Sequence, residues 1–308
     1  MSTTTLTSRA ITARDGIRNY PDTPIGNVWS LTTLLKSHPK DLTYGAGSVS
    51  MKESVRIAHE VAQDYAKAAE AMRYNDDPAS ITSMFEDFEI SLLHEIGKQM
   101  ASNKDGSPKP PHAFLWAEKA QVGEAVHAGV EAHYGGMLGK VCPPMEETEA
   151  YRTLRPVAQA RAQVALTLFH GWAAEHDVVP IAVEEVLWLD VQEFGNRNKF
   201  ACRIDLACVL DGEPSILDVK SGGLDGKKPY REQMVQTEMQ RRAADARDIM
   251  PPEILSEYGP FRQAGILHVP AEGGEVRVFL NNPDEHMALL ATFDACASHF
   301  IHFNGEPR

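Results

Sequence analysis

Between Phe200 and Gly222 the chain reads FACRIDLACVLDGEPSILDVKSG, two apolar runs separated by Asp211-Gly212. An Asp-Gly step between strand-forming runs marks a tight turn, so the two runs are expected to pair antiparallel. Strand residues alternate faces. Cys202, Ile204, Leu206 and Cys208 are therefore expected on one apolar face, with Arg203 and Asp205 on the other. Asp218 and Lys220 are two apart and share a face. With the turn centred on Gly212-Glu213, Asp205 falls opposite Lys220 and diagonal to Asp218. Two carboxylates and an ammonium then converge on one side of a hairpin.

The flanking sequence predicts helices before this hairpin and alternating elements after it. Ser30 caps a short helix over Leu31–Lys36. Ser50 and Glu53 form a capping box ahead of a helix whose apolar stripe is Val55, Ala58, Val61, Tyr65, Ala68 and Met72. A second stripe, Ile81, Phe85, Phe88, Leu92 and Ile96, ends before the loop NKDGSPKPP (Asn103–Pro111). Helices follow over His112–Tyr134 and Pro156–His176, then strands over Pro180–Leu189, Lys199–Leu210 and Ser215–Lys220. A helix over Tyr230–Arg247, a strand pair over Gly265–Val269 and Val276–Leu280, and a helix over Asp284–Phe303 close the chain. That order predicts a mixed α/β fold. It divides as a Thr/Ser-rich arm (1–26), a helical region (27–111) and a core (112–308).

No apolar run approaches the ~20 residues that span a bilayer, and the amino-terminal MSTTTLTSRAITARDG does not read as a secretory signal. Cys142, Cys202, Cys208 and Cys296 are scattered, which predicts free thiols in a reducing cytoplasm and argues against an iron–sulfur cluster. The net charge of −13 opposes non-specific duplex binding, since phosphate binding rewards clustered Lys and Arg. A local basic stripe can still hold DNA on an acidic body. Lys220–Arg247 carries seven Lys/Arg against four Asp/Glu, and Lys227, Lys228, Arg231, Arg241 and Arg242 are its candidate phosphate contacts.

Two aspartates and a lysine on one hairpin suit metal-assisted phosphodiester cleavage. Hard cations such as Mg²⁺ take carboxylate oxygens, and the ion polarises a phosphoryl oxygen and acidifies a bound water. Lys220 would hold that water or offset charge developing on phosphorus-bound oxygens. His286, His299 and His302 lack metal-ligand spacing. SGGLDGKKP (Ser221–Pro229) lacks the Gly-Lys-Ser/Thr ending of a nucleotide-binding loop.

Several further segments stand in a recognisable order: NVWSLTTLLK (Asn27–Lys36), GEAVH (Gly123–His127), AVEEVL (Ala182–Leu187), CRID (Cys202–Asp205), DVKSG (Asp218–Gly222) and EQMVQT (Glu232–Thr237). Together, from Val28 to the carboxyl end, they resemble the RecB-like branch of the PD-(D/E)XK nucleases, especially the phage and mitochondrial genome maintenance exonucleases. The resemblance implies a restriction-endonuclease-like core, a central mixed sheet flanked by helices, with an amino-terminal helical addition. It implies a metal-dependent exonuclease acting at DNA ends or on single strands, in the cytoplasm, with Mg²⁺ or Mn²⁺ and a recombination or replication partner. A structure-specific endonuclease and a DNA-binding module of reduced activity are the alternatives. By this resemblance His127, Asp205, Asp218 and the carbonyl of Val219 bind the metal, Lys220 is the catalytic lysine, and Gln233 orients the site or the phosphate. Glu184 matches the first-strand glutamate better than Glu185, and Gln236 and Gln240 offer a second spacing on the helix of Gln233. Gly123, one turn before His127, leaves room for close approach, and imidazole suits Mn²⁺ better than Mg²⁺. Read alone, His127 is a helix-surface histidine. The departures are Cys202 for glycine, which crowds the backbone beside the metal, Ser221 for threonine, and Thr237 for tyrosine.

Overall fold

Asp211 (φ 50°) and Gly212 (φ 87°) both adopt left-handed backbone conformations, as a two-residue type I′ hairpin turn requires. In this computed structural model, which describes residues 11–12, 18–35, 111–190, 198–222 and 228–304, that turn joins two strands of a five-stranded sheet. The strands are β4 (Val178–Leu189), β5 (Phe200–Leu210), β6 (Glu213–Lys220), β7 (Gln263–His268) and β8 (Arg277–Leu280), in that spatial order. All neighbours pair antiparallel except β6 and β7. A parallel pair needs a crossover, and α5 (Arg231–Ala246) and α6 (Pro252–Tyr258) lie in the connection. The other helices are α1 (Leu31–Leu34), α2 (Pro111–Met137), α3 (Glu149–Arg152), α4 (Pro156–Glu175) and α7 (His286–Asn304). The fold is mixed α/β.

The chain divides into two compact units, Lys40–Ala120 and the remainder, Met1–Pro39 with Gln121–Arg308. Of Lys40–Ala120, residues 111–120 are described and are helical; the two helices expected over 50–100 lie outside the described residues. In the larger unit, α1, α5 and α7 pack on one sheet face, where Leu34, Val235, Met239 and Phe293 meet Leu187, Phe200, Ile204 and Ile216. Helices α2 and α4 cover the opposite face, where Val126, Val130 and Phe169 meet Val183, Leu206, Leu217 and Leu267. Ser30 caps α1 by accepting the Thr33 N–H at 3.2 Å. Strands β1 (Ile11–Thr12), β2 (Arg18–Thr23) and β3 (Gly26–Trp29) form a second, small sheet, its first two strands lying in the segment read as a loose arm. Tyr20 and Val28 anchor it by burial against Ala201. No helix among the described residues is long and apolar enough to cross a membrane.

Two details of the hairpin differ from the sequence reading. The register runs from Leu210↔Glu213 to Leu206↔Leu217, and continuing it sets Asp205 opposite Asp218 rather than Lys220. The turn centres on Asp211-Gly212 because Asp211 accepts the left-handed conformation that was assigned one residue later. The four residues expected on one face are also divided. Cys202 and Ile204 enter the α5/α7 core, whereas Leu206 and Cys208 enter the α2/α4 core.

Candidate metal centre

That division marks the site. On β4, Ala182 faces the α5/α7 core and Val183 the α2/α4 core, yet Leu187 and Leu189 return to the first. Strict alternation would put Val183 and Leu187 on the same side. Both strands therefore shift by one residue at the same level, around Glu184 on β4 and Asp205 on β5, between the pairs Val183↔Leu206 and Glu185↔Ile204. Glu184 carries the backbone irregularity, with φ 51°. A non-glycine residue in that region is strained, and such residues gather at functional sites.

At the same level β5 parts from β6. The pairing ends at Leu206↔Leu217, and the Val219 N–H donates instead to Asp205 Oδ2 at 2.7 Å. Into this fork α2 brings His127. Its Nδ1 lies 3.4 Å from Asp205 Oδ2 and 3.9 Å from Glu184 Oε1. Ligand atoms of these three residues all fall within 4.8 Å of one another. Bound to one first-row divalent ion at ordinary bond lengths, such atoms stand about 3–3.4 Å apart, so the trio fits a cation with little adjustment. Two carboxylates also balance a divalent charge. Gly123 faces Ser221 at the end of β6; a Cβ there would lie 3.4 Å from Ser221 Oγ, an ordinary contact, so the approach of α2 does not depend on the glycine.

Asp218, 2% exposed, stands on the other side of the fork. Its Oδ2 pairs with the Lys220 ammonium, and its Oδ1 accepts from Gln236 Nε2 at 2.7 Å. Burial pushes the Asp218 carboxyl above the usual range, with Lys220 opposing and Asp205 adding to the rise. Burial disfavours the charged form of Lys220, but Asp218 and Asp205 outweigh it and raise its pKa. Asp205 loses charge stability to burial, yet His127 and Lys220 pull it below the carboxylate range. For His127 burial also opposes the charge, and Asp205 and Glu184 overcome it, raising the imidazole to about 10.

The structure brings together His127, Glu184, Asp205, Asp218 and Lys220, and it separates the pairs left open in sequence. Glu185 turns to Lys140, 3.7 Å away. Gln233 is occupied as part of a helix cap, accepting the Tyr230 N–H at 2.9 Å, so Gln236 is the glutamine that meets Asp218. Gln240 donates to the Arg203 carbonyl at 3.1 Å. Val219 supplies its N–H to the centre, and Glu184 joins His127 and Asp205 in a trio able to hold a cation, with Asp218 held by Lys220 and Gln236. The Cys202 side chain packs away from the site, in the α5/α7 core, so it does not crowd the metal ligands. Thr237 is fixed to Met234 O and Asn281.

The basic helix is less available than its charge count implied. Arg241 and Arg242, 13% and 11% exposed, both bind the fully buried Glu238, and Arg241 also binds Asp245. Arg231 pairs with Glu285 at 2.9 Å. Lys228 is exposed, and Lys227 lies outside the described residues. The sequence reading gave no role to Arg203, whose Nε lies 2.6 Å from Glu184 Oε2. Its signal was its place two residues before Asp205.

No protein-family model matches the chain, and no curated protein matches it. A solved structure titled "Crystal structure of SSO0001" aligns at 13% identity and a TM-score of 0.28, over 62% of this chain and 77% of that one. A likeness that slight carries no argument about fold or function.

The raised His127 pKa makes cation binding proton-linked, because a metal at Nδ1 displaces the proton held there. Below pH 10, Mn²⁺ affinity is expected to rise by up to about tenfold per pH unit, with release of close to one proton. Calorimetric titration in buffers of differing protonation enthalpy measures both. Affinity independent of pH, without proton release, removes His127 from the ligand set. In the metal-free chain the same shift contributes stability that is full below about 6.5 and lost as pH climbs through about 10.

Proposed function

We propose that the chain is a divalent-metal-dependent deoxyribonuclease of the PD-(D/E)XK type, built on a restriction-endonuclease-like core and acting at DNA ends or on single strands. The observation that carries this reading is the convergence of Asp218 and Lys220 on one strand with Asp205, Glu184 and His127 across a fork in the sheet. A structural ion pair needs none of the last three, and a strained glutamate beside them serves no packing purpose. The sequence resemblance supports DNA as substrate.

His127, Glu184 and Asp205 would hold the cation, and the imidazole favours Mn²⁺ over Mg²⁺. When bound, a divalent ion supplies charge to the phosphoryl oxygen and acidifies a water. The chain's own groups do the rest. Asp218 accepts from Gln236 and keeps the Lys220 ammonium fixed at the mouth of the fork. Lys220 Nζ donates to the attacking water or to the oxygens on which negative charge grows. The Val219 N–H holds Asp205 in one rotamer, with the same Oδ2 that it binds turned to His127.

The test is incubation of the purified chain with linear and circular single-stranded DNA in Mn²⁺, Mg²⁺ or EDTA. Linear DNA is expected to be degraded, faster in Mn²⁺, with circles spared and EDTA stopping the reaction. Cutting of circles replaces the exonuclease with an endonuclease. A chain that cleaves no DNA in either metal is not a nuclease of this kind.

A further inference from the structure

We propose that Arg203 is a phosphate-contacting residue of this centre, gripping a backbone phosphate of the nucleic-acid strand beside the cation ligands. The inference rests on the nuclease reading and adds to it the group that brings a polyanion to an acidic site. Four carboxylates, Glu131, Glu184, Asp205 and Asp218, lie within electrostatic reach of the fork, the last paired with Lys220. A phosphodiester approaching them is repelled unless a cation stands next to them.

Arg203 has the placement and spare donors for that task. It precedes Asp205 by two residues on β5 and pairs with Val186 of β4. Its Nε takes one oxygen of Glu184 at 2.6 Å, while the other oxygen of the same carboxylate faces His127. The guanidinium and the cation ligands therefore share one carboxylate, and a phosphate within reach of one is within reach of the other. The side chain is 56% exposed. Among the described residues its close ion pair is made through Nε, with Glu131 also within its electrostatic reach, and the rest of the planar guanidinium fork matches phosphate oxygens. Gln240 fixes the backbone beneath it. The arginine half of this pair is exposed and Glu184 is only 14% exposed, so the outer part of the guanidinium can meet a phosphate while Nε keeps its hold on Glu184.

The neighbouring cations are differently employed. Lys220 serves Asp218. Lys140 donates to the Val183 carbonyl at 2.8 Å and pairs with Glu185. Arg241 and Arg242 are enclosed around Glu238. Arg203 is thus the phosphate contact that the charge run along α5 does not supply.

The experiment compares the intact wild-type chain with Arg203→Gln and Arg203→Lys. Binding of a short fluorescein-labelled single-stranded oligodeoxynucleotide is followed by anisotropy in Ca²⁺ across a salt series, and Mn²⁺ binding is measured by calorimetry. Arg203→Gln is expected to weaken oligonucleotide binding about 10–100-fold and to reduce the slope of log K against log salt by about 0.7. Its Mn²⁺ affinity should stay at or above wild type, since a cation next to Glu184 has been removed. Arg203→Lys should recover the slope but not the full affinity, lacking the planar fork. Unchanged oligonucleotide affinity and slope in Arg203→Gln overturn the proposal. So does a loss of Mn²⁺ affinity with an unchanged slope, which makes Arg203 only a brace for Glu184. In both cases wild-type cleavage leaves the nuclease reading standing, whereas a wild-type chain that neither binds nor cuts the strand overturns both.

Discussion

Asp205→Asn is expected to abolish DNA cleavage and to weaken Mn²⁺ binding by at least about 100-fold, beyond the loss typical of residues that only support a ligand. The substitution is chosen to separate chemistry from folding. An asparagine carbonyl can still accept the Val219 N–H that Asp205 now takes at 2.7 Å, so the fork keeps its shape. What disappears is the negative charge opposite His127, 3.4 Å away. Burial then governs the imidazole, whose pKa falls from about 10. Circular dichroism and the urea midpoint should stay close to wild type while calorimetry detects little Mn²⁺ binding. A variant that binds Mn²⁺ and cuts DNA as wild type does would place the centre elsewhere.

Lys220→Met should be costly in two ways. Loss of the ammonium at the reacting phosphate is expected to lower kcat by about 10²–10³-fold, the usual effect of removing one charge-stabilising donor. Stability should fall by about 3–5 kcal/mol near neutral pH, because a buried carboxylate is left without its ion-pair partner; Asp218 is 2% exposed and keeps only Gln236. The sign of the pH dependence identifies the cause. Burial already raises the Asp218 carboxyl, and without Lys220 it rises further. The folded variant then binds more protons than the unfolded chain, so its stability recovers as pH falls and declines as pH climbs. Adding Asp218→Asn should restore much of the stability and none of the activity. Urea melts over a pH series measure the first effect and single-turnover cleavage the second. A single variant that melts and cuts like wild type would remove Lys220 from the chemistry and from the support of Asp218.

Much of this arrangement was legible in the sequence, and the parts that were not have physical reasons. The strands around Asp211-Gly212, the cap at Ser30 and the shared side of Asp218 and Lys220 follow from turn chemistry and period-two spacing. The register was misread by one turn position, because both Asp211 and Glu213 can flank a glycine but only Asp211 adopts φ 50°. The faces were misread because a shift of one residue leaves no mark in composition. AVEEVL looks like an unbroken strand, and only the backbone reveals that Val183 and Leu187 enter different cores. Charge counting misjudged α5 for another reason. Glu238 lies three and four residues before Arg241 and Arg242, within reach on the same helix, and it draws both inward. Gln233 and Gln236 offered equivalent spacings until the first was taken up in capping the helix.

The paired shift at Glu184 and Asp205 also bears on how the chain zips together. In a plain antiparallel pair, slipping one strand by a residue exchanges its faces, which is resisted wherever a face is buried. Here β4 and β5 both change face at matching positions, around Glu184 and Asp205, and β4 carries a further register shift between Pro180 and Ala182. Any slip sets the two irregularities out of step and drives side chains from both cores into the wrong layer at once. The two carboxylates therefore act as an alignment key cut into the main chain: a molecule that has paired these strands wrongly has no centre, and one that has a centre has paired them correctly.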